Sequence, residues 1–309
     1  MGQTTTSLPR DPEATKGVTF GLGAYVMWGC FPLFFALLDG VPAFEILLHR
    51  VLWSCLFLVI VVSALSRWSP VIGALKQPKR LGRVLACAVL IGANWGIYIY
   101  AVESRQVLQA SLGYFLTPLV NVALGMLVLR ERMHRLQGVA VILAGVAIAI
   151  QLLGLGELPW ITLALAFSFG TYGLLRKQVP LDGLSGLFVE TLLLFPLALV
   201  AVAWLGAQGN GHFLESPAKT ALLITSGVIT ALPLLAFAGA ARRLRLATLG
   251  FLMYINPSIQ FGIALLVFHE PLAPLQLVSF LIIWLGLALY SWSAWSSRNR
   301  SVHAAAGQK

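Results

Sequence analysis

Ten long apolar runs dominate this sequence and restrict what it can fold into. A helix needs about 20 apolar residues to cross the hydrocarbon core of a bilayer, and each run is of that order, although the sixth is short. Only 10% of the residues are charged, far below the proportion found in soluble domains. The sequence therefore predicts an all-α polytopic membrane protein with ten transmembrane helices. The runs lie at about 18–38, 45–65, 84–102, 107–129, 136–153, 159–175, 183–205, 219–240, 246–268 and 275–295.

The positive charges predict how these helices are oriented. The chain carries 21 Lys and Arg residues, and all but Arg50, Arg105 and Lys219 lie in the tails or in the even-numbered loops. Since cytoplasmic loops are enriched in Lys and Arg, both termini and the even-numbered loops are expected in the cytoplasm. The net charge of +10 is then explained by topology and by anionic lipid headgroups, so no nucleic-acid partner is expected. We expect a multi-pass protein of the cell inner membrane, with a monomer favoured.

The sequence contains no motif of a known catalytic or metal-binding centre. No P-loop, HExxH or GxSxG motif and no cluster of His and Cys residues occurs in it. The three cysteines, Cys30, Cys55 and Cys87, fall inside apolar runs without CxxC spacing, which favours packing over disulfide or metal binding. The polar N-terminus has no apolar core and cleavage site, so it is not a signal peptide. We expect no cofactor, no metal, no catalytic residue and no ATP-driven step within this chain.

The sequence also contains an internal repeat. The segment ASLGYFLTPLVNVALGMLVLRERMHRLQ (110–137) is similar to ATLGFLMYINPSIQFGIALLVFHEPLAPLQ (247–276), with a two-residue insertion in the second copy. The two halves, 17–153 and 157–295, hold five predicted helices each, between tails at 1–16 and 296–309. Because five is odd, the second half enters the membrane the other way up. Inverted repeats are typical of secondary transporters, although channels also contain repeats.

Several segments resemble one known family. EILLHRVLWS (45–54), LIGANWGIYIYAV (90–102), LAFSFGTYGLLRK (165–177) and RLRLATLGFLMYINP (243–257) are similar to segments of the RarD family, in the EamA-type branch of the drug/metabolite transporter superfamily. The resemblance extends over nearly the whole chain. It implies a ten-helix inner-membrane transporter built of inverted repeats, and members of the family are commonly labelled chloramphenicol permeases.

Two ionisable residues lie side by side in the second predicted helix, where such groups usually face a cavity or a partner. Arg50 lies about 7–8 Å inside the outer end of that helix, from the rise of about 1.5 Å per residue. It either faces a cavity, where it would attract an anionic group, or bends back to the outer headgroups. His49 is four residues beyond Glu45, so it either forms a structural pair with that carboxylate or titrates near the substrate path.

Glu190, in the seventh predicted span, is the only carboxylate of the sequence that lies well inside a span. In the register of the repeat it corresponds to the His49-Arg50 pair, entered from the opposite side of the membrane. The sequence allows two interpretations. Glu190 either carries a proton or binds a cationic group, or it forms a fixed ion pair with Arg176 or Lys177 at the inner boundary.

A set of polar and aromatic residues lines the middle helices of both halves. Such a mixture suits a solute that is buried by apolar walls and oriented by a few donors, although hydrogen bonds between helices would also explain it. The candidate residues of the substrate path in this set are Asn94, Trp95, Tyr98, Tyr114, Asn121, Tyr254, Asn256 and Gln260.

Four further residues are candidates for helix kinks or gates. Pro118 and Pro257 lie in the middle of the fourth and ninth runs, where each removes a backbone hydrogen bond and kinks the helix, either for gating or for static packing. Glu131 and Glu270 end the same two helices. A carboxylate at a helix C-terminus is unfavourable for the helix dipole, so each is expected to have a cationic partner.

These patterns predict a secondary transporter or exporter that moves small organic metabolites or drugs by alternating access. Its partners would be a small-molecule substrate and the lipid bilayer, and transport would be either coupled to protons or another gradient, or facilitative. A passive solute channel is the first alternative. A membrane-embedded enzyme is the second, but His49 and Glu190 lie near opposite faces of the membrane and fit poorly as catalytic partners.

Overall fold

Helices make up all the regular structure in the part of the chain that is described. This computed structural model describes residues 12–129, 135–155, 158–244 and 246–306, and it contains no β-strand within those ranges. The helices are α1 (Pro12–Gly29), α2 (Phe31–Ala36), α3 (Ala43–Ala64), α4 (Trp68–Leu75), α5 (Pro78–Glu103), α6 (Val107–Leu129), α7 (Arg135–Leu155), α8 (Trp160–Arg176), α9 (Gly183–Ala207), α10 (Pro217–Ala241), α11 (Leu246–Leu252), α12 (Ile255–Leu266) and α13 (Pro274–Ala306).

Nine segments of the described residues are helical, long and apolar enough to cross a membrane. Two of these segments consist of two helices each, α1 with α2 and α11 with α12. The sixth apolar run is also helical, but α8 has only 17 residues, fewer than the ~20 that span the hydrocarbon core. The all-helical polytopic membrane fold expected from the sequence is therefore confirmed, whereas the count of ten spans stays a prediction.

The two prolines that were expected to kink their helices lie in different settings. Pro118 lies inside α6, which continues through it. Pro257 lies in the first turn of α12, just after a turn at 253–254 that separates α12 from α11. A proline is tolerated there because the N–H that it lacks would have no partner within the helix. The expected position in the middle of a helix is therefore wrong for Pro257, and a break in the helix takes the place of the kink.

The long helices of the two halves of the chain pack against each other. α3 packs on α9 and α10, α5 on α8, and α1 on α10. α7 and α13 pack together at the side of this bundle and contact it mainly through α6. The buried polar side chains described below lie along the contacts between the halves.

α3 and α10 approach so closely at Gly227 that no side chain fits between them. A Cβ atom added to Gly227 would overlap main-chain atoms of Trp53 and Ser54. The Ser54 hydroxyl donates a hydrogen bond of 3.2 Å to the carbonyl oxygen of Gly227. Small residues permit such contacts between membrane helices, and this one brings the polar residues of α3 within reach of α10.

α4 was not expected from the sequence, which has no long apolar run between 65 and 84. This short helix buries Val71 and Ala74. The Trp68 ring packs edge-on against Phe188 of α9, with 5.6 Å between the ring centroids. A helix of eight residues is too short to produce a transmembrane signal in the sequence.

The loops group at the two ends of the bundle. We call the end that carries residues 37–42, 104–106, 208–216 and 267–273 the odd-loop face, and the end that carries 65–77, 177–182 and 242–244 the even-loop face. The positive charges of the sequence predict that the odd-loop face is the outer one.

Candidate substrate-binding site

Arg50 lies deep inside the bundle and is only 3% exposed. Its Nε donates a hydrogen bond of 2.7 Å to the hydroxyl oxygen of Thr230, which lies in the middle of α10. The side chain therefore points into the bundle and not back toward the end of α3. Of the two interpretations that the sequence allowed for Arg50, the structure excludes the one in which the guanidinium bends to the headgroups.

Aromatic rings surround the guanidinium group of Arg50. Its central carbon lies 4.3 Å from the centroid of the Trp95 ring, and 5.5 Å from the centroids of both Phe31 and Phe35. A cation held against ring faces and away from water gains about 2 kcal/mol or more from each good contact. The rings of α2 and α5 thus stabilise a positive charge in the bundle and leave it without a negative partner.

Two polar atoms at this site have no hydrogen-bond partner in the described part of the chain. They are Nη1 of Arg50 and the hydroxyl of Tyr98, whose side chains lie close enough to interact electrostatically. Among the described residues no carboxylate forms an ion pair with Arg50. Because an unpaired buried charge is costly, these free donors indicate a position where a ligand supplies the missing acceptor.

Asn94 connects three helices next to the Arg50 site. Its amide nitrogen donates to the carbonyl oxygen of Leu165 at 3.1 Å and to the hydroxyl of Ser168 at 2.9 Å, both on α8. Its amide oxygen accepts a hydrogen bond of 3.2 Å from the Tyr114 hydroxyl of α6. Asn94 therefore fixes the position of Tyr114, whose ring lies 5.8 Å from that of Tyr98.

A row of aromatic rings leads from this site to Glu190. The Tyr114 ring lies 6.1 Å from the ring of Phe169, which lies 5.9 Å from that of Tyr172. The Tyr172 hydroxyl donates a hydrogen bond of 3.2 Å to Oε2 of Glu190. The row thus connects the buried cation Arg50 with a buried carboxylate nearer the even-loop face.

Glu190 forms an ion pair in the structure. Its Oε1 lies 3.4 Å from Nε of Arg176, and the carboxylate is buried. The same guanidinium also donates hydrogen bonds to the main-chain carbonyl oxygens of Leu181 at 3.1 Å and Asp182 at 2.7 Å. Of the two interpretations drawn from the sequence, the structure places Glu190 in the fixed pair with Arg176.

Replacement of Gly186 by alanine is expected to separate this ion pair, because the added Cβ would overlap the Arg176 guanidinium. We expect the free energy of unfolding to fall by about 1–3 kcal/mol, as for other overpacked sites. The measurement is the midpoint of thermal unfolding of the detergent-purified protein. Gly183→Ala, in the same helix with open space around the added Cβ, is the matched control. Equal midpoints for the two variants would show that Arg176 moves aside without cost.

His49 and Arg50 point to different parts of the bundle. The His49 ring stacks on Phe213 at 4.8 Å, and its Nδ1 accepts a hydrogen bond of 3.2 Å from the Trp53 indole. Glu45 lies 4.0 Å from its Nε2, beyond hydrogen-bond distance. Glu45 binds His212 more closely, through the main-chain N–H at 2.6 Å and Nδ1 at 2.7 Å. The main partner of Glu45 is therefore His212, and the pair ties α3 to the loop at 208–216.

Removal of the Glu45 carboxylate is expected to loosen the loop at 208–216. The buried carboxylate accepts the main-chain N–H of His212 and contacts its Nδ1, and a hydrogen bond to a charged group contributes about 1.5–3 kcal/mol, so amide hydrogen exchange in this loop should become roughly ten- to a hundredfold faster in Glu45→Ala. Mass spectrometry of the exchanged protein measures this rate. Glu215→Ala is the matched control, because Glu215 lies in the same loop but pairs with Lys219 at the surface. Unchanged exchange in Glu45→Ala would mean that other contacts hold the loop.

Two more glutamates accept hydrogen bonds from main-chain N–H groups at the odd-loop face. Oε2 of Glu103 accepts a hydrogen bond of 3.0 Å from the main-chain N–H of Ala43, at the start of α3. Glu270 accepts two, from the N–H groups of Val107 at 2.7 Å and Leu108 at 2.8 Å. Burial raises the pKa of Glu270 above its ordinary value, and the bonds from Leu108 and Val107 offset this only in part.

The structure corrects the expectation for Glu270. This residue lies beyond the end of α12, and its carboxylate caps the N-terminus of α6. A negative charge is favourable there, since the first N–H groups of a helix lack partners and carry the positive end of the dipole. The expected cationic neighbour is present as Arg105, whose charge lowers the pKa of Glu270 and so also offsets part of the effect of burial. Glu131, expected to have a matching role, lies outside the described residues.

The remaining candidates from the sequence are not part of the Arg50 site. Asn121 is exposed, and its amide oxygen lies beside Gly170 of α8. Gln260 donates hydrogen bonds to Asn256 at 2.8 Å and to the carbonyl oxygen of Trp28 at 3.5 Å. Tyr254 lines a groove of about 370 Å³ that also contains Phe115, Ser258, Trp284 and Leu287.

The Arg50 site is nearly closed toward the odd-loop face. Arg50 is almost fully buried, and a cavity at this face, lined by residues that include Phe35, Ile46, Ile99 and Glu103, has a volume of about 20 Å³. Such a space holds about one water molecule.

Three residues that contact Arg50, and the histidine that binds Glu45, were missed in the sequence. Phe31 and Phe35 are one helical turn apart and share a face, which is a signal that the sequence contained. Thr230 is a hydroxyl inside an apolar run, but such residues also bond their own helix, as Thr230 does to Ser226. His212 lies in a loop, and nothing in the sequence pairs it with Glu45.

Comparisons with known proteins agree with this architecture. A model of the EamA-like transporter family matches residues 15–153. "Protein RarD" of Streptomyces exfoliatus is 45% identical over 290 residues, covering 94% of this chain and 92% of the relative. "Protein RarD" of Escherichia coli is 41% identical over 290 residues, covering 94% and 98%.

Two further similarities concern a relative and a fold. An "Uncharacterized transporter" of Vibrio cholerae is 43% identical over 284 residues, which cover 92% of this chain and 94% of the relative. A solved structure described only as "Crystal structure of protein" aligns with a TM-score of 0.57 and 15% identity. The alignment covers 89% of this chain and 96% of the solved one, so the two share a fold.

Proposed function

Because this chain belongs to the RarD family of EamA-like membrane transporters, in the drug/metabolite transporter superfamily, we propose that it is a secondary transporter or exporter of small organic solutes. It is a multi-pass membrane protein, and in a bacterium its membrane is the inner one. The observation that carries the proposal is Arg50, a buried cation bonded across the two halves to Thr230. An ionisable group held inside a membrane bundle is typical of a substrate path.

In this proposal the two halves are inverted repeats of five helices, with both termini in the cytoplasm. The helix packing supports a two-fold relation between the halves, because equivalent helices make equivalent contacts. α5 packs on α8 and α1 packs on α10, so the third helix of each half contacts the first of the other. α3 packs on α9, and α7 on α13, so the second and the fifth helices contact their own counterparts. This count includes α8 as the tenth span.

Transport by alternating access would begin from a conformation closed at the odd-loop face. Three glutamates hold that face together: Glu45 through His212, Glu103 through the start of α3, and Glu270 through the start of α6. Opening this side would require these bonds to break while contacts at the even-loop face form. Rocking of two halves around a central site is the usual motion of transporters built of inverted repeats.

Protons are the coupling ion that the titratable groups favour. The pair of Glu45 with His212 lies at the closed face. Burial raises the pKa of Glu270, so this carboxyl takes up a proton more readily than an exposed glutamate. A protonated carboxyl accepts weaker hydrogen bonds from N–H groups than a carboxylate does. Proton uptake would thus weaken the bonds that keep the odd-loop face closed.

The proposal is tested by transport in cells and vesicles. Metabolites are compared inside and outside cells that produce the wild-type protein, the Arg50→Gln variant or no protein. We expect at least one solute to change with the wild type and to return to background with Arg50→Gln. Transport of that solute is then measured by counterflow in membrane vesicles. In this assay, unlabelled solute on one side of the membrane accelerates the movement of labelled solute from the other side.

Counterflow separates a carrier from a channel. A carrier that alternates between two sides shows accelerated exchange and saturation, whereas a passive channel shows neither. Flux without saturation or exchange would support the channel and overturn alternating access. No change in any solute, with the protein present in the membrane at normal amounts, would overturn the transport proposal itself.

A further inference from the structure

The charge balance around Arg50 restricts what can bind there. Two carboxylates are buried within the long helices that the structure describes. Glu45 is bound to His212, and Glu190 is bound to Arg176. Neither is available to neutralise Arg50, whose Nη1 remains without an acceptor in the described part of the chain. A bound anion would supply the missing negative charge. Guanidinium groups bind carboxylates and phosphates through strong charge-assisted hydrogen bonds.

A single cation faces this site among the described residues, which argues against a ligand with several negative charges. Arg176, on the neighbouring α8, is held by Glu190 and by the carbonyl oxygens of Leu181 and Asp182. A phosphate dianion would leave one of its charges uncompensated inside the bundle, which is costly in a low dielectric. A carboxylate needs one cation and fits this balance.

Among the described residues, no free carboxylate is available here for a positively charged group, because Glu45 and Glu190 are bound to His212 and Arg176. The amide oxygen of Asn94 already accepts the Tyr114 hydroxyl, and Thr230 accepts from Arg50 and donates to the carbonyl of Ser226. The other walls are the rings of Phe31, Phe35 and Trp95. The ammonium group of an amino acid would be buried there without a carboxylate partner. The walls instead suit an apolar or aromatic body, which gains from burial against rings.

We propose that the cargo is an organic monocarboxylate with an apolar or aromatic body and no ammonium group, bound with its carboxylate at Nη1 of Arg50 and at the Tyr98 hydroxyl. This inference rests on the proposed transport function and names the substrate class of the same site. The aromatic row through Tyr114, Phe169 and Tyr172 continues from Arg50 toward the even-loop face. In this proposal the apolar part of the cargo moves along these aromatic rings.

The test is binding of matched compounds to the purified full-length protein, measured by calorimetry. The probes are benzoate, 3-phenylpropionate and hexanoate, the neutral amide of each, and phenylalanine, which adds an ammonium group to the 3-phenylpropionate skeleton. We expect at least one carboxylate to bind about tenfold or more tightly than its amide, from the strength of charge-assisted hydrogen bonds. Phenylalanine should bind more weakly than 3-phenylpropionate by a similar factor.

Variants locate the binding to this site. Arg50→Gln should remove the preference for carboxylate over amide, while Arg50→Lys keeps the charge and should retain part of it. Tyr98→Phe removes a hydroxyl without a described partner, so the protein should fold normally and bind the carboxylate a few times more weakly. Tyr100→Phe, which removes a hydroxyl from an exposed side chain of the same helix that packs on Trp160, is the matched control and should leave the preference unchanged.

Three results would overturn the inference: amides that bind as tightly as carboxylates, phenylalanine that binds as tightly as 3-phenylpropionate, or no binding of any carboxylate to the wild type. These results are distinct from failure of the transport proposal. A solute that shows counterflow but is neutral or cationic would overturn the substrate class alone. Carboxylate binding without movement of any solute would contradict transport alone.

Discussion

Substitution of Gly227 by alanine is expected to lower the free energy of unfolding by about 3 kcal/mol, at the upper end of the usual cost of overpacking, and to abolish transport. The added methyl group would overlap the main chain at Trp53 and Ser54. A side chain could rotate away from such an overlap, but the main chain of a helix cannot. α10 would have to move away from α3, which would break the hydrogen bond from Arg50 to Thr230.

The measurements are thermal unfolding of the purified protein and counterflow in vesicles. Gly145→Ala is the matched control, because Gly145 lies in α7 on an exposed face with open space around the added Cβ. This control should be as stable as the wild type and equally active. A Gly227→Ala protein that transports normally would mean that the helices can separate without loss of the site.

Substitution of Glu270 by alanine is expected to lower the free energy of unfolding by about 2–6 kcal/mol, since each of two buried N–H groups left without an acceptor costs about 1–3 kcal/mol. These groups belong to Val107 and Leu108, both fully or almost fully buried at the start of α6. The substitution also removes a negative charge from the positive end of the helix dipole. We expect a lower unfolding midpoint and faster amide hydrogen exchange in the first turn of α6.

Two further variants make this prediction specific. Glu270→Gln keeps an acceptor oxygen but loses the charge, so its midpoint should lie between those of the wild type and Glu270→Ala. Asp39→Ala removes an exposed carboxylate from the same face of the protein and should have no effect on the exchange of α6. Equal rates of amide hydrogen exchange in the first turn of α6 in Glu270→Ala and Asp39→Ala would contradict the prediction. Water would then have replaced the carboxylate at these N–H groups.

The sequence was most informative where a charged or polar residue lies in an apolar segment. An arginine in an apolar run must be explained by a partner or a cavity, and Arg50 is indeed the centre of the buried polar site. Asn94 and Tyr98 were recognised because they lie one helical turn apart and share a face. Long apolar runs likewise predicted the membrane helices, since the length needed to cross a bilayer is fixed.

The sequence was least informative about contacts between distant segments. Thr230 binds Arg50 only because α3 and α10 touch at Gly227, and no pattern within either helix reveals this crossing. For the same reason the partners of Glu45 and Glu270 could not be predicted. The break between α11 and α12 was also missed, because Pro257 indicates a disturbed helix but not whether the helix bends or ends.

The bonds that Glu270 forms have a consequence for how this protein tolerates sequence change. Its carboxylate recognises main-chain N–H groups, which every amino acid except proline possesses. Positions 107 and 108 are therefore free to vary in evolution as far as this contact is concerned, whereas position 270 is not. A deep mutational scan should find most exchanges at 107 and 108 limited only by packing, with proline harmful at either position because it removes one of the two N–H donors to Glu270.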